Sequence, residues 1–146
     1  MTTVVLDSSI LLASVLVDEP LTTEAQRVLT EWSTANVELA APRLFRSELI
    51  AVIRKAVFQK RITADHGDLL LDETLAYPVA FHDDNALLKR AYALATRFNL
   101  PRTYDAQYLA LAETLNCEFW TADKVLFNSI RSQFGHIRWL GHLVIP

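Results

Sequence analysis

Cysteine, glycine and proline are scarce in this sequence, and each scarcity excludes particular structural features. Cys117 is the one cysteine, so no internal disulfide can form, which favours a reducing, cytoplasmic setting. The 3 glycines and 5 prolines do not cluster into a linker or a low-complexity segment. We therefore predict a single domain over residues 1–146.

Long apolar runs are absent as well. None reaches the length that crossing a bilayer requires, and the N-terminus lacks the basic region, apolar core and cleavage site of a signal peptide. The 51% of hydrophobic and 21% of charged residues are typical of a soluble globular protein. We therefore expect no membrane association.

The chain also lacks a basic excess. Its formal net charge is −3, whereas domains that bind nucleic acids usually carry a positive balance. If a metal ion neutralised several acidic side chains, the rest of the chain would be slightly positive. The charge is therefore compatible with a metal-dependent nuclease and does not by itself support one.

Strand and helix patterns alternate along the chain, which predicts an α/β fold with a mostly parallel sheet. Apolar runs predict strands at 3–6, 37–41, 118–121 and 137–140, and residues 79–81 are ambiguous between a loop and a short edge strand. Apolar residues at helical spacing predict helices at about 10–16, 25–32, 44–60, 64–77, 85–98, 106–115 and 123–132.

Polar residues at the predicted helix starts indicate how the helices are capped. Ser8 or Ser9 is predicted to cap the first helix, and Thr23 with Gln26 has the spacing of a capping box for the second. The further predicted caps are Thr63 and either Asp83 or Asp84.

Four carboxylates lie at or beside predicted junctions of strand and helix: Asp7, Glu48, Asp105 and Asp123. In open α/β sheets ligands bind beyond the carboxyl ends of the strands, and Asp7 and Asp123 follow such ends. Oxygen ligands without a matching set of histidine and cysteine favour Mg²⁺ or Mn²⁺ over zinc. We therefore hypothesise a shared metal site, with a metal-activated water attacking a phosphodiester and no covalent enzyme intermediate.

Each carboxylate also has a plain structural interpretation. Asp7 and Asp105 are suitable helix caps, Asp123 is a suitable turn residue, and a helical glutamate such as Glu48 is usually solvated. For Glu48 the residue alone favours that plain interpretation.

The strings around the four carboxylates resemble the four motifs of PIN-domain ribonucleases, in particular those of the VapC-type toxins of toxin–antitoxin modules. They read VVLDSSILLA, FRSELIAVIRK, TYDAQYLALAE and FWTADKVL, in the family's order and at its spacing. The resemblance implies a PIN-like three-layer α/β/α sandwich around a mostly parallel sheet of about four to five strands. It also implies Mg²⁺ or Mn²⁺ as the cofactor and endonucleolytic cleavage of RNA.

The same resemblance implies roles for particular residues and partners. The four carboxylates would be metal ligands or water-activating groups. Ser9 matches a small polar position that supports the first aspartate, and Thr121 matches the hydroxyl before the last one. Val125 stands where some relatives carry a further acid, so a complete second metal site is not implied. The family's usual partners are a second copy of the chain and an antitoxin that inserts a helix or an extended segment into the active-site groove.

Basic residues near the motifs are candidates for contact with an RNA backbone, with an ordinary soluble surface as an equal alternative. Arg43 and Arg46 lie nearest to Glu48 in the sequence. Arg102 and Lys124 lie close to the other acidic motifs.

Two other functions compete with the nuclease hypothesis. A phosphatase of the haloacid-dehalogenase type needs a second aspartate two residues after the first, where Ser9 stands, and a receiver domain needs an acidic pair and a phospho-acceptor. A non-catalytic module that binds RNA or protein stays open as the alternative, although intact acids at all four positions weigh against it.

Overall fold

Five short strands pair in parallel to form one sheet in this computed structural model, which describes residues 2–143. The strands are β1 (Thr3–Leu6), β2 (Glu38–Pro42), β3 (Ala80–His82), β4 (Glu118–Thr121) and β5 (Ile137–Trp139). Their order across the sheet is β3-β2-β1-β4-β5. The two ends of the predicted domain, Met1 and 144–146, lie outside the described residues.

Seven helices connect and cover the strands of the described region. They are α1 (Ser8–Val15), α2 (Thr22–Thr34), α3 (Leu44–Phe58), α4 (Ala64–Leu75), α5 (Asn85–Arg97), α6 (Tyr104–Leu115) and α7 (Lys124–Ile130). A short 3₁₀ turn, Leu140–His142, follows β5. Within residues 2–143, no helix combines the length and the apolar character needed to cross a membrane.

Helices cover both faces of the sheet. Phe119 and Trp120 are neighbours in β4, so their side chains point to opposite faces. Phe119 stacks on Tyr108 of α6 with ring centroids 5.4 Å apart, and Trp120 meets Trp32 of α2 edge to face at 5.5 Å. The predicted three-layer α/β/α sandwich with a parallel sheet is therefore confirmed, with five strands.

The central strands are almost continuously apolar, because strands covered on both faces have no solvated side. Val5, Leu6 and Phe119 have no exposed surface. Helix α6 packs across β1, β2 and β4, and α5 covers α6 from outside. The sheet centre is therefore tightly packed on both faces, and the residues that follow β1 and β4 extend from this packed core.

The strand order creates a crevice at one edge of the sheet. From β1 the chain proceeds to β2 and β3 on one side and later returns to β4 on the other side. The connections after β1 and β4 consequently diverge, and the carboxyl ends of these two adjacent strands form the usual ligand-binding position of an open α/β sheet. Leu6 pairs with Trp120 at this edge, and Asp7 follows immediately.

Two predicted helix caps were wrong. Ser8 and Ser9 lie inside α1, and Asp7 occupies the cap position. The two serine hydroxyls donate to carboxylates and do not cap the helix. The capping box of Thr23 is also absent, since the cap position of α2 lies two residues earlier, at Leu21. The hydroxyl of Thr22 instead donates to backbone carbonyls of the preceding loop.

Two other caps are confirmed. Thr63 accepts a hydrogen bond from the backbone N–H of His66 at the start of α4. At the start of α5 the cap is Asp84, which accepts from Leu87 at 2.7 Å, and not Asp83. The ambiguous segment 79–81 is a parallel edge strand, displaced by one residue to Ala80–His82.

Residues other than glycine adopt the left-handed backbone conformation just beyond several helix ends of this glycine-poor chain. Four residues just beyond α2, α3, α5 and α6 adopt positive φ values of 50–60°, namely Asn36, Lys60, Asn99 and Asn116. Asparagine tolerates this left-handed conformation better than most residues. The left-handed backbone at Lys60 also explains why α3 stops at Phe58 rather than at the predicted residue 60.

Candidate active site

Asp7 stands at the carboxyl end of β1 and is almost completely buried, with 7% of its surface exposed. Its backbone N–H donates to the carbonyl of Trp120 at 2.9 Å, which extends the β1–β4 pairing by one residue. Its Oδ2 accepts hydrogen bonds from Thr121 at 2.7 Å and from Ser9 at 3.0 Å. The carboxylate is thus fixed between the two central strands.

Thr121 and Ser9 connect Asp7 to the segment that carries Asp123. The Thr121 hydroxyl accepts from the backbone N–H of Asp123 at 3.0 Å, and the Ser9 hydroxyl accepts from that of Ala122 at 3.0 Å. The carboxylate of Asp123 caps α7 by accepting from Leu126 at 3.0 Å. Ser9, which was predicted to support the first aspartate, therefore contacts Asp7 directly, and so does Thr121, which was predicted as the hydroxyl before the last aspartate.

Glu48 reaches the same edge from the second turn of α3. Its Oε1 accepts a hydrogen bond from the hydroxyl of Ser8 at 3.2 Å and another from the phenol of Tyr108 in α6. Ser8 also lies 3.4 Å from Oδ1 of Asp7. The glutamate is therefore not a solvated helical side chain, because two other elements hold it in place.

Asp105 lies in the first turn of α6, while Thr103 occupies the cap position of that helix without a side-chain hydrogen bond. The plain interpretation of Asp105 as a helix cap is therefore wrong. One turn later on the same helix is Tyr108, so α6 contributes both an acid and the phenol that binds Glu48.

The four carboxylates repel one another. Burial, aided by the charges of Asp7 and Asp105, raises the pKa of Glu48 to about 7. Burial and the charges of Asp7 and Asp123 raise the pKa of Asp105 to about 6, against the opposing charge of Arg102. Burial also raises the pKa of Asp7, against its bonds from Thr121 and Ser9.

Within residues 2–143 no ion pair compensates this cluster, and the charge of Arg102 offsets the raised pKa of Asp105 only in part. The ion pairs of that region involve none of the four carboxylates. Buried carboxylates without a compensating charge are costly, so the arrangement favours a bound cation. The acids therefore have the electrostatic character of a cation site.

The donor set fits a hydrated Mg²⁺ or Mn²⁺ ion. All the available ligands are carboxylate and hydroxyl oxygens, which these ions prefer. No three His, Cys, Asp or Glu side chains of residues 2–143 already converge as a metal cage. Mg²⁺ does not need such a cage, since it keeps several waters and uses few protein carboxylates.

The predicted RNA-contacting residues divide into two groups. Arg102 acts electrostatically on Asp105, and the ammonium of Lys124 lies 5.1 Å from the ring centre of Trp139. Arg43 pairs with Asp83 at 2.8 Å, and Arg46 lies over the ring of Phe81. Arg43 and Arg46 thus contact β3 and the loop after it.

Sequence reasoning missed Tyr108 and Ser8 as parts of the site. Tyr108 was not singled out at all, and Ser8 was considered only as a helix cap. The spacing from Asp105 to Tyr108 places both side chains on one side of α6, which was the available signal. That signal becomes specific only when α3 is known to pack within reach of the phenol.

Comparison with known proteins finds one matching family model and several relatives of similar length. The model of the PIN domain family matches residues 4–131. Ribonuclease VapC9 of Mycobacterium tuberculosis is 32% identical over 130 residues, which cover 89% of this chain and 93% of VapC9. A VapC ribonuclease of Mycobacterium bovis gives the same values.

A solved structure shares the fold at low sequence identity. The crystal structure of VapC20 of Mycobacterium tuberculosis, described as a sarcin–ricin loop cleaving toxin, aligns with a TM-score of 0.65 and 14% identity. The alignment covers 92% of this chain and 98% of VapC20. This likeness supports the sandwich architecture described above.

Proposed function

Because the chain belongs to the PIN-domain family, we propose that it is a metal-dependent endoribonuclease whose active site is the cluster of four carboxylates. The observation that carries the proposal is the placement of acids from four separate elements at the β1–β4 crevice. Burial, with the charges of neighbouring acids, raises the pKa values of Glu48 and Asp105 there. The ribonuclease names of the relatives point to the same activity.

We assign the residues of the proposed site to metal binding or to orienting the metal-binding carboxylates. Asp7, Asp105 and Asp123 hold a Mg²⁺ or Mn²⁺ ion, together with Glu48. When bound, the ion supplies Lewis acidity that lowers the pKa of a coordinated water and neutralises charge on the phosphate. The hydroxyls of Ser9 and Thr121 orient Asp7, and those of Ser8 and Tyr108 orient Glu48.

In the proposed step one of the carboxylates would accept the proton of the attacking water as the water oxygen bonds to phosphorus. The bond from phosphorus to the leaving ribose oxygen would break, and that oxygen would take a proton from solvent. Arg102 and Lys124 lie near the acids and bind the RNA backbone, whereas Arg43 and Arg46 would extend that contact toward β3. No side chain forms a covalent bond to the substrate in this scheme.

The proposal extends to partners. The chain is the toxin of a toxin–antitoxin pair in the cytoplasm, it forms a homodimer, and a cognate antitoxin inhibits it by occupying the active-site groove. The names of the relatives support the toxin assignment, and light scattering of the purified chain measures the dimer directly.

The testing experiment is cleavage of a mixed pool of structured RNAs by the purified chain with Mn²⁺, with Mg²⁺ and with EDTA. Asp105→Asn removes a charge from the cluster, and Asp72→Asn, an exposed aspartate of α4, is the matched control. We expect metal-dependent cutting by the wild type and by Asp72→Asn only.

RNA affinity, measured in parallel, separates a nuclease from a binding module. Loss of cutting in Asp105→Asn with retained RNA affinity supports catalysis at the carboxylates. A folded wild type that binds neither Mn²⁺ nor Mg²⁺ and cuts no RNA would contradict the proposal and favour the non-catalytic module.

A further inference from the structure

A cleft of about 490 Å³ opens beside the carboxylates, and Lys124, already proposed to bind the RNA backbone, forms part of its lining. It shares Ser9 and Asp123 with the proposed active site. Its other walls are mostly apolar and include Leu12, Pro20, Leu21, Val52, Ala122 and Trp139. The volume lies within the range of roughly 300–1,000 Å³ that is typical of sites for small organic groups.

Trp139 forms one wall and is held firmly. Its indole N–H donates to the carbonyl of Ala122 at 3.3 Å, and its ring stacks on Phe127 with centroids 6.3 Å apart. Gly141 packs directly against the ring, since a Cβ at that position would lie 2.1 Å from it. The aromatic wall is therefore fixed in advance of any binding event.

The loop between α1 and α2 forms the opposite wall and is also held. Arg61, beyond the end of α3, donates to the carboxylates of Asp18 and Glu19 at 2.7–2.9 Å. The hydroxyl of Thr22 donates to the carbonyl of Glu19 at 3.1 Å. Both walls are consequently preorganised, which lowers the entropy lost on binding.

We propose that this cleft binds the base of the nucleotide adjacent to the cleaved phosphate, an inference that rests on the proposed function. An RNA phosphate held at the carboxylates through the proposed metal ion would place a neighbouring base at the entrance that Ser9 and Asp123 share. Apolar walls with a fixed indole suit a nucleobase, and single-stranded RNA is commonly recognised by unstacked bases packed on aromatic side chains. Lys124, whose ammonium lies over the ring of Trp139 at 5.1 Å from its centre, is placed to bind the phosphate of that nucleotide.

A protein segment is the competing occupant. Two features favour RNA: the cleft is continuous with the phosphodiester site, and a cation stands at its aromatic wall next to Asp123. A protein segment would contact the apolar walls together with Glu19 and Lys124, and its binding would not depend on any RNA base.

The experiment is a double-mutant cycle between Trp139 and a single RNA base. The protein carries Asp105→Asn so that the RNA stays intact, and the probe is a short fluorescent RNA that spans a bond cut by the wild type. Companion RNAs lack one base each, at positions on either side of that bond. Affinities are compared with and without Trp139→Ala.

We expect removal of one base beside the cut bond to weaken binding about tenfold, in line with the loss of one base–aromatic contact. In Trp139→Ala the intact RNA should bind about tenfold more weakly, and removal of the same base should cost nothing further. Leu21→Gln changes the opposite wall and should reduce the effect of that base in the same way.

Tyr92→Ala is the matched control, because Tyr92 is a 69% exposed aromatic residue of α5 outside the cleft. Thermal unfolding verifies that each variant is folded. Equal base-removal effects in all variants would overturn the cleft assignment and leave a protein segment as its occupant. A folded wild type that binds neither Mn²⁺ nor Mg²⁺ and cuts no RNA would refute the proposed function first, and the cleft assignment with it.

Discussion

Glu48 owes its position to two hydroxyl groups that lie on other elements. Ser8 from α1 and Tyr108 from α6 both donate to Oε1. Tyr108 is fully buried, and burial raises the pKa of its phenol, so the group stays protonated and remains a donor. At the scale of single residues, then, the buried phenol supports a carboxylate that the metal is proposed to bind.

Tyr108→Phe tests this support. The ring should keep its packing on Phe119, but Glu48 loses one donor. Removal of a group that orients a metal ligand typically lowers metal affinity or activity about 10–100-fold, and we expect a loss of Mn²⁺ affinity in that range. Isothermal titration with Mn²⁺ measures it. Tyr92→Phe is the control, and an unchanged affinity in Tyr108→Phe would contradict the supporting role.

The raised pKa values give the metal-free protein a defined pH dependence. Burial raises the pKa of Glu48 from 4.5 to about 7 and that of Asp105 from 3.8 to about 6. At pH values between the ordinary and the raised pKa of each group, the folded chain holds more protons than the unfolded chain. The free energy of unfolding therefore decreases as the pH rises.

Denaturant unfolding in EDTA at several pH values from about 4.5 to 7 measures this dependence. Glu48→Gln removes one titrating group and should flatten the decline. A wild-type curve and a Glu48→Gln curve with equal slopes would mean that Glu48 titrates normally in the folded chain.

At the scale of elements, adjacent aspartates before α5 have different tasks. Asp84 accepts a hydrogen bond from the backbone N–H of Leu87, whereas Asp83 pairs with Arg43 at the surface. Those two paired side chains are 58% and 63% exposed, so water screens their attraction. A cap stabilises the helix start more than such an exposed ion pair does.

Asp84→Ala should therefore lower the free energy of unfolding by about 1 kcal/mol. Asp83→Ala should lower it by less than about 0.5 kcal/mol. Urea unfolding of the two variants measures the difference, and a larger effect at Asp83 would contradict the assignment of the cap.

At the scale of the whole molecule, the carboxylate cluster exists only in the folded chain. Asp7 and Asp123 follow β1 and β4, while Glu48 and Asp105 lie in α3 and α6. The unfolded chain separates them and so offers no comparable site. Metal binding is therefore expected to stabilise the fold.

Mn²⁺ should raise the midpoint of thermal unfolding at neutral pH. At a concentration one hundred times the dissociation constant, the expected stabilisation is about 2.7 kcal/mol. Asp105→Asn should lose most of this shift and Asp72→Asn should keep it. Calorimetry with and without Mn²⁺ measures both, and an equal shift in the two variants would place the ion elsewhere.

The sequence by itself determined the α/β class, the strands near β1, β2, β4 and β5, and the four acidic motifs. These features are local, since apolar periodicity and residue type within a short window decide them. The caps at Thr63 and Asp84 are equally local, which is why they were predictable. The resemblance of the motifs then pointed to the family to which the chain belongs.

Only the tertiary structure decided which side chains meet. Ser8 and Ser9 became carboxylate donors instead of caps because α3 and β4 bring acceptors and backbone N–H groups to them. Tyr108 and Trp139 acquired their places from packing between elements far apart in the sequence. Hydrogen bonds act over about 3 Å, so their partners depend on the folded geometry rather than on any pattern along the chain.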